Sequence, residues 1–400
     1  MSVPNTRLMR KFIFKIHLWL SVPLGLIVTV ICLSGAVLVF EEEITRALRP
    51  KLYHAEAPVE VQPLPPSQLV ARIGDQMPDS LHLASLQLSS QRNEPCMVAF
   101  RETGRKRLSV DPYTGHVNGW VENSAFFGTM RKLHRWLLDP PVSKGETSVG
   151  KIIVGVSTMC LAVILVSGLI LWIPRNRKAL LNRLKVSFSG GCRRFWHDCH
   201  TSLGFYTTLL LLVMTLTGLT WSFGWYRTIA YALFGGGQQN IAVQENTMQK
   251  SDSGNRNGRE RTGKGTADLE LREVRTETEA PKFDYAVWDE MLTQLTIHYP
   301  VYKTIVLTQT EAQVARQSTI RRTDRITFDP RSARLGDITH YEDMPRQQRL
   351  RAWFYAFHTG SWGGIWTKLL YFLAAFIGAT LPLTGYYLWW KRKSDWRKTK

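Results

Sequence analysis

The sequence predicts an α-helical membrane protein: a four-helix transmembrane bundle built from a duplicated two-span unit, with two α+β domains on one side. Three observations predict it. Residues 18–40, 152–173, 199–226 and 369–390 hold no Asp, Glu, Lys or Arg, and a membrane crossing needs only about 20 apolar residues. A histidine and a small-residue pair recur in register, His17 standing 18 residues before Gly35 and His200 standing 18 residues before Gly218. Two long polar loops separate the spans and carry related stretches, RLSVDPYTGHVNG from Arg107 and RITFDPRSARLGD from Arg325. Short as it is, that match sits at equivalent places in the two loops and supports a repeat of residues 1–190 by 191–400.

The spans differ in their flanks. The first follows Arg7, Arg10, Lys11 and Lys15 as a signal peptide would, but it is too long for an h-region and lacks an A-x-A cleavage site. It reads as an uncleaved anchor. All four spans carry a Ser/Thr-Gly pair, namely Ser34-Gly35, Ser167-Gly168, Thr217-Gly218 and Thr384-Gly385, and small residues let helices approach closely in lipid. The net charge of +19 resembles that of nucleic-acid binders, but its placement excludes that class. The basic residues gather before the first span, in the loop holding Arg175, Arg177, Lys178, Arg183, Lys185, Arg193 and Arg194, and after the fourth span from Lys391 onward. Asp395 is the one acid interspersed among them, whereas loop 41–148 is balanced in charge. Positive loops stay in the cytoplasm, so both termini are expected inside and the two large loops outside. The chain then divides into the N-terminus and first span (1–40), a first external domain (41–148), the second span (149–174), a basic cytoplasmic loop (175–196), the third span (197–226), a second external domain (227–352), an interfacial segment with the fourth span (353–390), and a cytoplasmic tail (391–400).

Each external loop reads as one helix against an antiparallel sheet. In the first, Glu41 to Pro66 is an acidic, then proline-rich exit. Ser67 to Met77 has a serine N-cap and helical spacing before Pro78, and Leu81 to Leu88, Cys96 to Phe100 and Arg107 to Val110 alternate as strands. Asp111 to Gly115 is turn chemistry. In the second, Asp284 to His298 is a helix stopped by Pro300, and Tyr302 to Leu307 and Arg325 to Phe328 are strands. Between them, 238–281 is polar and nearly free of aromatic residues, a composition that predicts a disordered insertion.

Cys96 is the one external cysteine, which excludes an intrachain disulfide there. A zinc site from Cys192, His197, Cys199 and His200 is disfavoured, because adjacent Cys and His at a helix start point apart. The histidines carry more. His17 and His200, or His197 in its place, fall at the cytoplasmic ends of the first and third spans, while His134 and His358 fall at the external ends of the second and fourth. Each level thus offers two facing imidazoles, and histidine is a strong iron ligand, two on one haem making a centre suited to electron transfer. Of the pair on one turn, His200 shares the spacing of His17 and is preferred as ligand, with His197 orienting it or meeting a propionate. Direct iron or copper binding is the weaker alternative, since no Cys, Met or carboxylate co-ligand stands at ligand spacing. His54, His82, His116, His298 and His340 read as surface residues.

WHDCH with its following Leu-Gly, the first-span HLWL, the repeated Ser/Thr-Gly helix ends, LHRWLL, FHTG and VDPYTG together resemble the PepSY-associated transmembrane family of bacterial inner-membrane proteins. The resemblance covers all of the chain except 238–281. It implies PepSY-like external domains in the periplasm, an iron-regulated inner-membrane protein with cytoplasmic termini, and similarity to ferric-siderophore reductases holding two haem b groups. His17, His200, His134 and His358 would be the haem ligands, with His197 the remaining motif histidine. No G-x-G-x-x-G follows a strand, so the electron donor would be cytoplasmic or a quinol, and the acceptor a periplasmic ferric chelate. The alternatives are a non-redox protein whose PepSY-like domains bind periplasmic peptides or peptidases, and an iron or siderophore permease working as an oligomer.

Overall fold

The computed structural model describes residues 6–143, 146–174, 176–236 and 283–398. The segment 238–281, expected to be disordered, lies outside the described residues. The first half runs α1 (Thr6–Val39), α2 (Glu41–Leu48), α3 (Pro50–Tyr53), α4 (Pro66–Gly74), strands β1 (Leu83–Ser89), β2 (Cys96–Phe100), β3 (Arg107–Val110) and β4 (Val117–Val121), then α5 (Ala125–Trp136) and α6 (Val149–Trp172). The second half runs α7 (Arg177–Arg183), α8 (Gly191–Asp198), a π turn (Cys199–Leu203), α9 (Gly204–Ser222) and α10 (Gly224–Leu233). It continues with α11 (Ala286–His298), β5 (Thr304–Leu307), β6 (Glu311–Ala315), β7 (Thr323–Phe328), β8 (Leu335–Thr339), α12 (Arg346–Thr359) and α13 (Gly364–Lys398).

Four helices are long and apolar enough to cross a membrane: Arg7–Val39, Val149–Trp172, Gly191–Ser222 and Ser361–Arg392. They close a ring, α1 and α9 each packing against both α6 and α13. Where α1 meets α13, the Tyr386 hydroxyl enters the backbone ladder of α1, donating to the Val22 carbonyl at 2.7 Å and accepting from the Leu26 N–H at 3.1 Å. Gly25 makes this possible, since a Cβ there would stand 2.5 Å from the hydroxyl. At the far end of α6, Arg10 and Arg183 donate to the Leu171 carbonyl and Arg183 also to that of Trp172, satisfying acceptors a helix C-terminus leaves open.

The two polar loops do not form separate domains. Their strands join in one eight-stranded antiparallel sheet of order β4-β3-β2-β1-β5-β6-β7-β8, stitched where Leu86 pairs with Leu307 and Ser89 with Thr304. The reason is physical: β1 and β5 would otherwise be open edges with unpaired N–H and C=O groups. Directly opposed residues share a face, so one row crosses the whole sheet through Trp120, Leu108, Val98, Leu86, Leu307, Ala312, Ile326 and Ile338. Its six central members are fully buried. Helices α4 and α11 cover that face with Leu69, Ile73, Trp288, Met291 and Leu295, making one core, each large buried side chain worth about 2–3 kcal/mol.

Several boundaries differ from expectation. The first sheet helix begins at Pro66, with Pro65 as N-cap, because proline is pre-shaped for the first turn; Ser67 instead donates its N–H and hydroxyl to Asp289 of α11. The exit Glu41–Leu48 is helical, its three glutamates in the first turn facing the positive end of the helix dipole. His340 is more than a surface residue. Its Nδ1 meets the fully buried Asp324 carboxylate at 3.2 Å, beside Arg316 at 2.8 Å. Burial pushes that carboxyl up, but hydrogen bonds from Arg316, the Tyr341 N–H and His340 outweigh it and hold the group below its ordinary range.

Candidate functional site

Four imidazoles dock on the spans in the same way. His17 on α1 places Nδ1 3.1 Å from the Ile164 carbonyl of α6 and 3.0 Å from the Ser167 hydroxyl. His200, in the π turn before α9, places Nδ1 3.1 Å from the Leu381 carbonyl of α13 and 2.9 Å from the Thr384 hydroxyl. His134 near the end of α5 reaches the Ile31 carbonyl of α1 at 2.8 Å. His358 near the end of α12 reaches the Met214 carbonyl of α9 at 2.8 Å and the Thr217 hydroxyl at 3.3 Å.

The acceptor is a carbonyl three residues before a Ser or Thr and four before a Gly, in all four cases. This gives the Ser/Thr-Gly pairs a use that sequence reasoning missed. They were expected to let helices pack; the glycines instead make room for imidazole rings. A Cβ would stand 2.9 Å from the His134 ring at Gly35, 3.0 Å from His358 at Gly218, 3.2 Å from His17 at Gly168 and 3.5 Å from His200 at Gly385. The shared spacing of small pair and histidine was visible in the sequence, but the partner of each pair lies on another helix.

The hydrogen bonds fix the chemistry of the rings. A carbonyl oxygen only accepts, so each Nδ1 carries a proton, and in the neutral imidazole the lone pair is then on Nε2. Where a hydroxyl is near, its own proton is engaged: Ser167 donates to Ile164 at 2.9 Å and Thr384 to Leu381 at 2.8 Å, so both hydroxyls accept from the imidazole. Ser34 is different, donating to the Val30 and Ile31 carbonyls without touching His134.

Of the expected pairs, the structure sets His134 and His358 beside each other. His134 and His358 face each other with ring centres 6.0 Å apart and planes inclined by 51°. Ring centres lie roughly 1.1 Å from their nitrogens and imidazole–metal bonds are about 2.0–2.1 Å, so two rings sharing one metal in line would have centres roughly 6.3 Å apart. The observed spacing fits such a pair. His17 and His200 belong to the opposite ends of the spans, His17 on α1 and His200 at the head of α9. His197, three residues before His200, is exposed, with Nδ1 3.3 Å from Asp198 of its own helix. The π turn holding His200 is a further marker, since such turns concentrate at functional sites. Trp221 packs 5.4 Å from the His358 ring, and Trp172 stacks on Phe205 at 3.6 Å, so aromatic walls stand near the outer pair and at the opposite end of the bundle. The arrangement sets two imidazoles beside each other where α5 and α12 meet the bundle.

A search of curated proteins finds no match to this chain. The family model described as the PepSY-associated TM region matches residues 14–392, from the turn before His17 to the end of the fourth span. Its match takes in all four docked histidines and their acceptor helices. The chain belongs to the PepSY-associated TM family.

Proposed function

We propose that this chain is a di-haem b electron-transfer protein of the bacterial inner membrane that reduces a periplasmic ferric chelate of the siderophore type and releases Fe(II) for uptake. The observation that carries the reading is the outer pair, two imidazoles with ring centres 6.0 Å apart and their Nδ1 atoms tied to backbone carbonyls. Carbonyl-anchored Nδ1 is how metal-bound histidines are ordinarily oriented. His134 and His358 would hold one haem, His17 and His200 the other, with His197 beside the inner one. Haem, when bound, supplies one-electron transfer at its iron.

What the chain itself does follows from its residues. The carbonyl bonds fix each tautomer and raise the basicity of Nε2; the glycines hold the rings against the spans; the apolar helices keep water from the path between levels. The basic flanks support a topology with both termini cytoplasmic, which puts the inner pair near a cytoplasmic or quinol donor and the outer pair under the periplasmic sheet. Fe(III) prefers hard oxygen ligands, so gaining one electron loosens a chelate's hold. The matched strand order of the two halves supports a duplicated two-span unit whose PepSY-like portions have fused edge to edge.

A dithionite-minus-air visible spectrum of the detergent-purified protein, with haem quantified per chain, tests this. Sharp reduced b-type bands at two haems per chain, halved by His134→Ala or by His200→Ala, are expected. A colourless protein from haem-replete cells overturns the reading and favours a membrane-anchored peptide-binding protein, which peptide titration would then address.

A further inference from the structure

The two halves part company just beyond their odd-numbered spans. After α1, helix α2 is bound to the protein by charge. Glu41 pairs with Arg131 of α5, Glu42 with Arg46, and Glu43 with Lys368 of α13 at 2.6 Å, which leaves Ile44 and Leu48 as its exposed large apolar residues. After α9, the chain breaks at Phe223, whose backbone is extended (φ −125°, ψ 125°), and resumes as α10 with the sequence GWYRTIAYAL. Arg227 is its one charged residue. Gly235, at φ 75°, ends it, the Gly235 and Gly236 N–H groups donating to the Ala232 and Tyr231 carbonyls.

Each helical step turns the chain by about 100°. Trp225, Ile229 and Leu233 therefore form one stripe along α10, and all three are more than half exposed, as is Phe234 just past the end. Arg227 stands roughly half a turn from Trp225 and Ile229. Ala230 and Tyr231 lie away from the stripe and are buried. The Tyr231 ring stacks on Phe354 of α12 at 5.4 Å with planes 16° apart, and Phe234 meets the same ring edge-on at 5.6 Å. In each half, then, the helix that follows the odd-numbered span grips the helix that carries the outer histidine, one turn before that histidine: Glu41 on Arg131 before His134, Tyr231 on Phe354 before His358.

The place of the stripe says what covers it. Gly224 is two residues past Ser222, where the apolar span ends, so α10 starts at the depth at which α9 leaves the bilayer. The span itself exposes Tyr206, Leu209 and Leu216, and exposed apolar surface continues past its end into α10. A short helix with tryptophan and aliphatic residues on one side and a basic residue opposite is the form that lies along a membrane boundary. We propose that α10 lies in the lipid boundary on the sheet side of the bundle, with Trp225, Ile229 and Leu233 among the acyl chains of that leaflet. The helix that carries His358 then rests on a lipid-bound support, whereas the one that carries His134 is held by an ion pair. The inference does not depend on haem.

Nitroxide labels on Trp225→Cys, Ile229→Cys and Leu233→Cys, with Arg227→Cys as control, test this in full-length protein reconstituted in dioleoylphosphatidylcholine vesicles. Cys192→Ser and Cys160→Ala first remove the native thiols that are not buried. All four labelled sites are exposed, so the labels leave the core in place, and size-exclusion profiles check that. Molecular oxygen is expected to relax the three stripe labels more than a water-soluble nickel chelate does, and the order to reverse at Arg227→Cys. Nickel access dominating at all four positions overturns the proposal, since the stripe would then stand in water. Stripe labels screened from both reagents overturn it as well: spin–spin broadening that fades on dilution with unlabelled protein would name a second copy as the occupant, and access regained on deletion of 238–281 would name that segment.

Discussion

The inner and outer histidine levels use one acceptor and two kinds of donor. At the inner level the rings belong to the spans themselves, His17 in the continuous helix α1 and His200 in a π turn at the head of α9. At the outer level they hang from α5 and α12, short helices that come down from the sheet. Yet all four rings meet the same carbonyl, three residues before a Ser or Thr and four before a Gly. The recognisable signature is therefore on the receiving helix, and a histidine can be delivered to it from either side. The levels also differ in detail: both inner rings share their Nδ1 proton with a hydroxyl at 2.9–3.0 Å, while His134 has a carbonyl alone at 2.8 Å.

The strongest challenge to this comparison is to remove one level. His134→Ala with His358→Ala should abolish one of two spectral components in the reduced-minus-oxidised spectrum and leave the other; His17→Ala with His200→Ala should do the reverse. Loss of both components from either double variant would mean that the levels are not independent. Next in size is the glycine series, which asks whether ring contact sets the geometry. Alanine at Gly35 or Gly218 must displace a ring only 2.9–3.0 Å away, an overpacking cost of about 1–3 kcal/mol, read as a fall in thermal midpoint. Gly168→Ala at 3.2 Å should cost less, and Gly385→Ala at 3.5 Å almost nothing. A reversed order would show that these glycines serve helix contact instead. Smallest are the hydroxyls. Ser167→Ala or Thr384→Ala should remove one hydrogen bond of about 1 kcal/mol and shift the inner spectral component, while Ser34→Ala should leave the outer one in place, because Ser34 does not touch His134. Potentiometric titration of each variant checks this.

Much of this was legible in the sequence. The spans are visible because a charge inside lipid is costly, so their limits are written as an absence of Lys, Arg, Asp and Glu. Strand Cys96–Phe100 is legible because burial alternates along it, and Arg107–Val110 because polar and apolar residues alternate there. Strand β4 is not, since none of its residues is fully buried and Gly119 interrupts it; β6 and β8 are short and lie among polar residues. The levels of the histidines follow from topology alone. Their docking does not, because the partner carbonyls are 103 to 181 positions away in the chain, and no local pattern names them. For the same reason the sheet was expected as two pieces: the pairing of β1 with β5 has no trace in either loop taken alone.

That pairing has a consequence for how the protein is made. Strand β1 is synthesised and left with one side unpaired until β5, over 200 residues later, arrives beside it. Such distant contacts form slowly, and an exposed strand edge invites pairing with other chains. The sheet therefore reports on the arrival of the second polar loop. A chain that stalls after its second span keeps an open strand edge, whereas a chain that has continued through its third span and into β5 closes it.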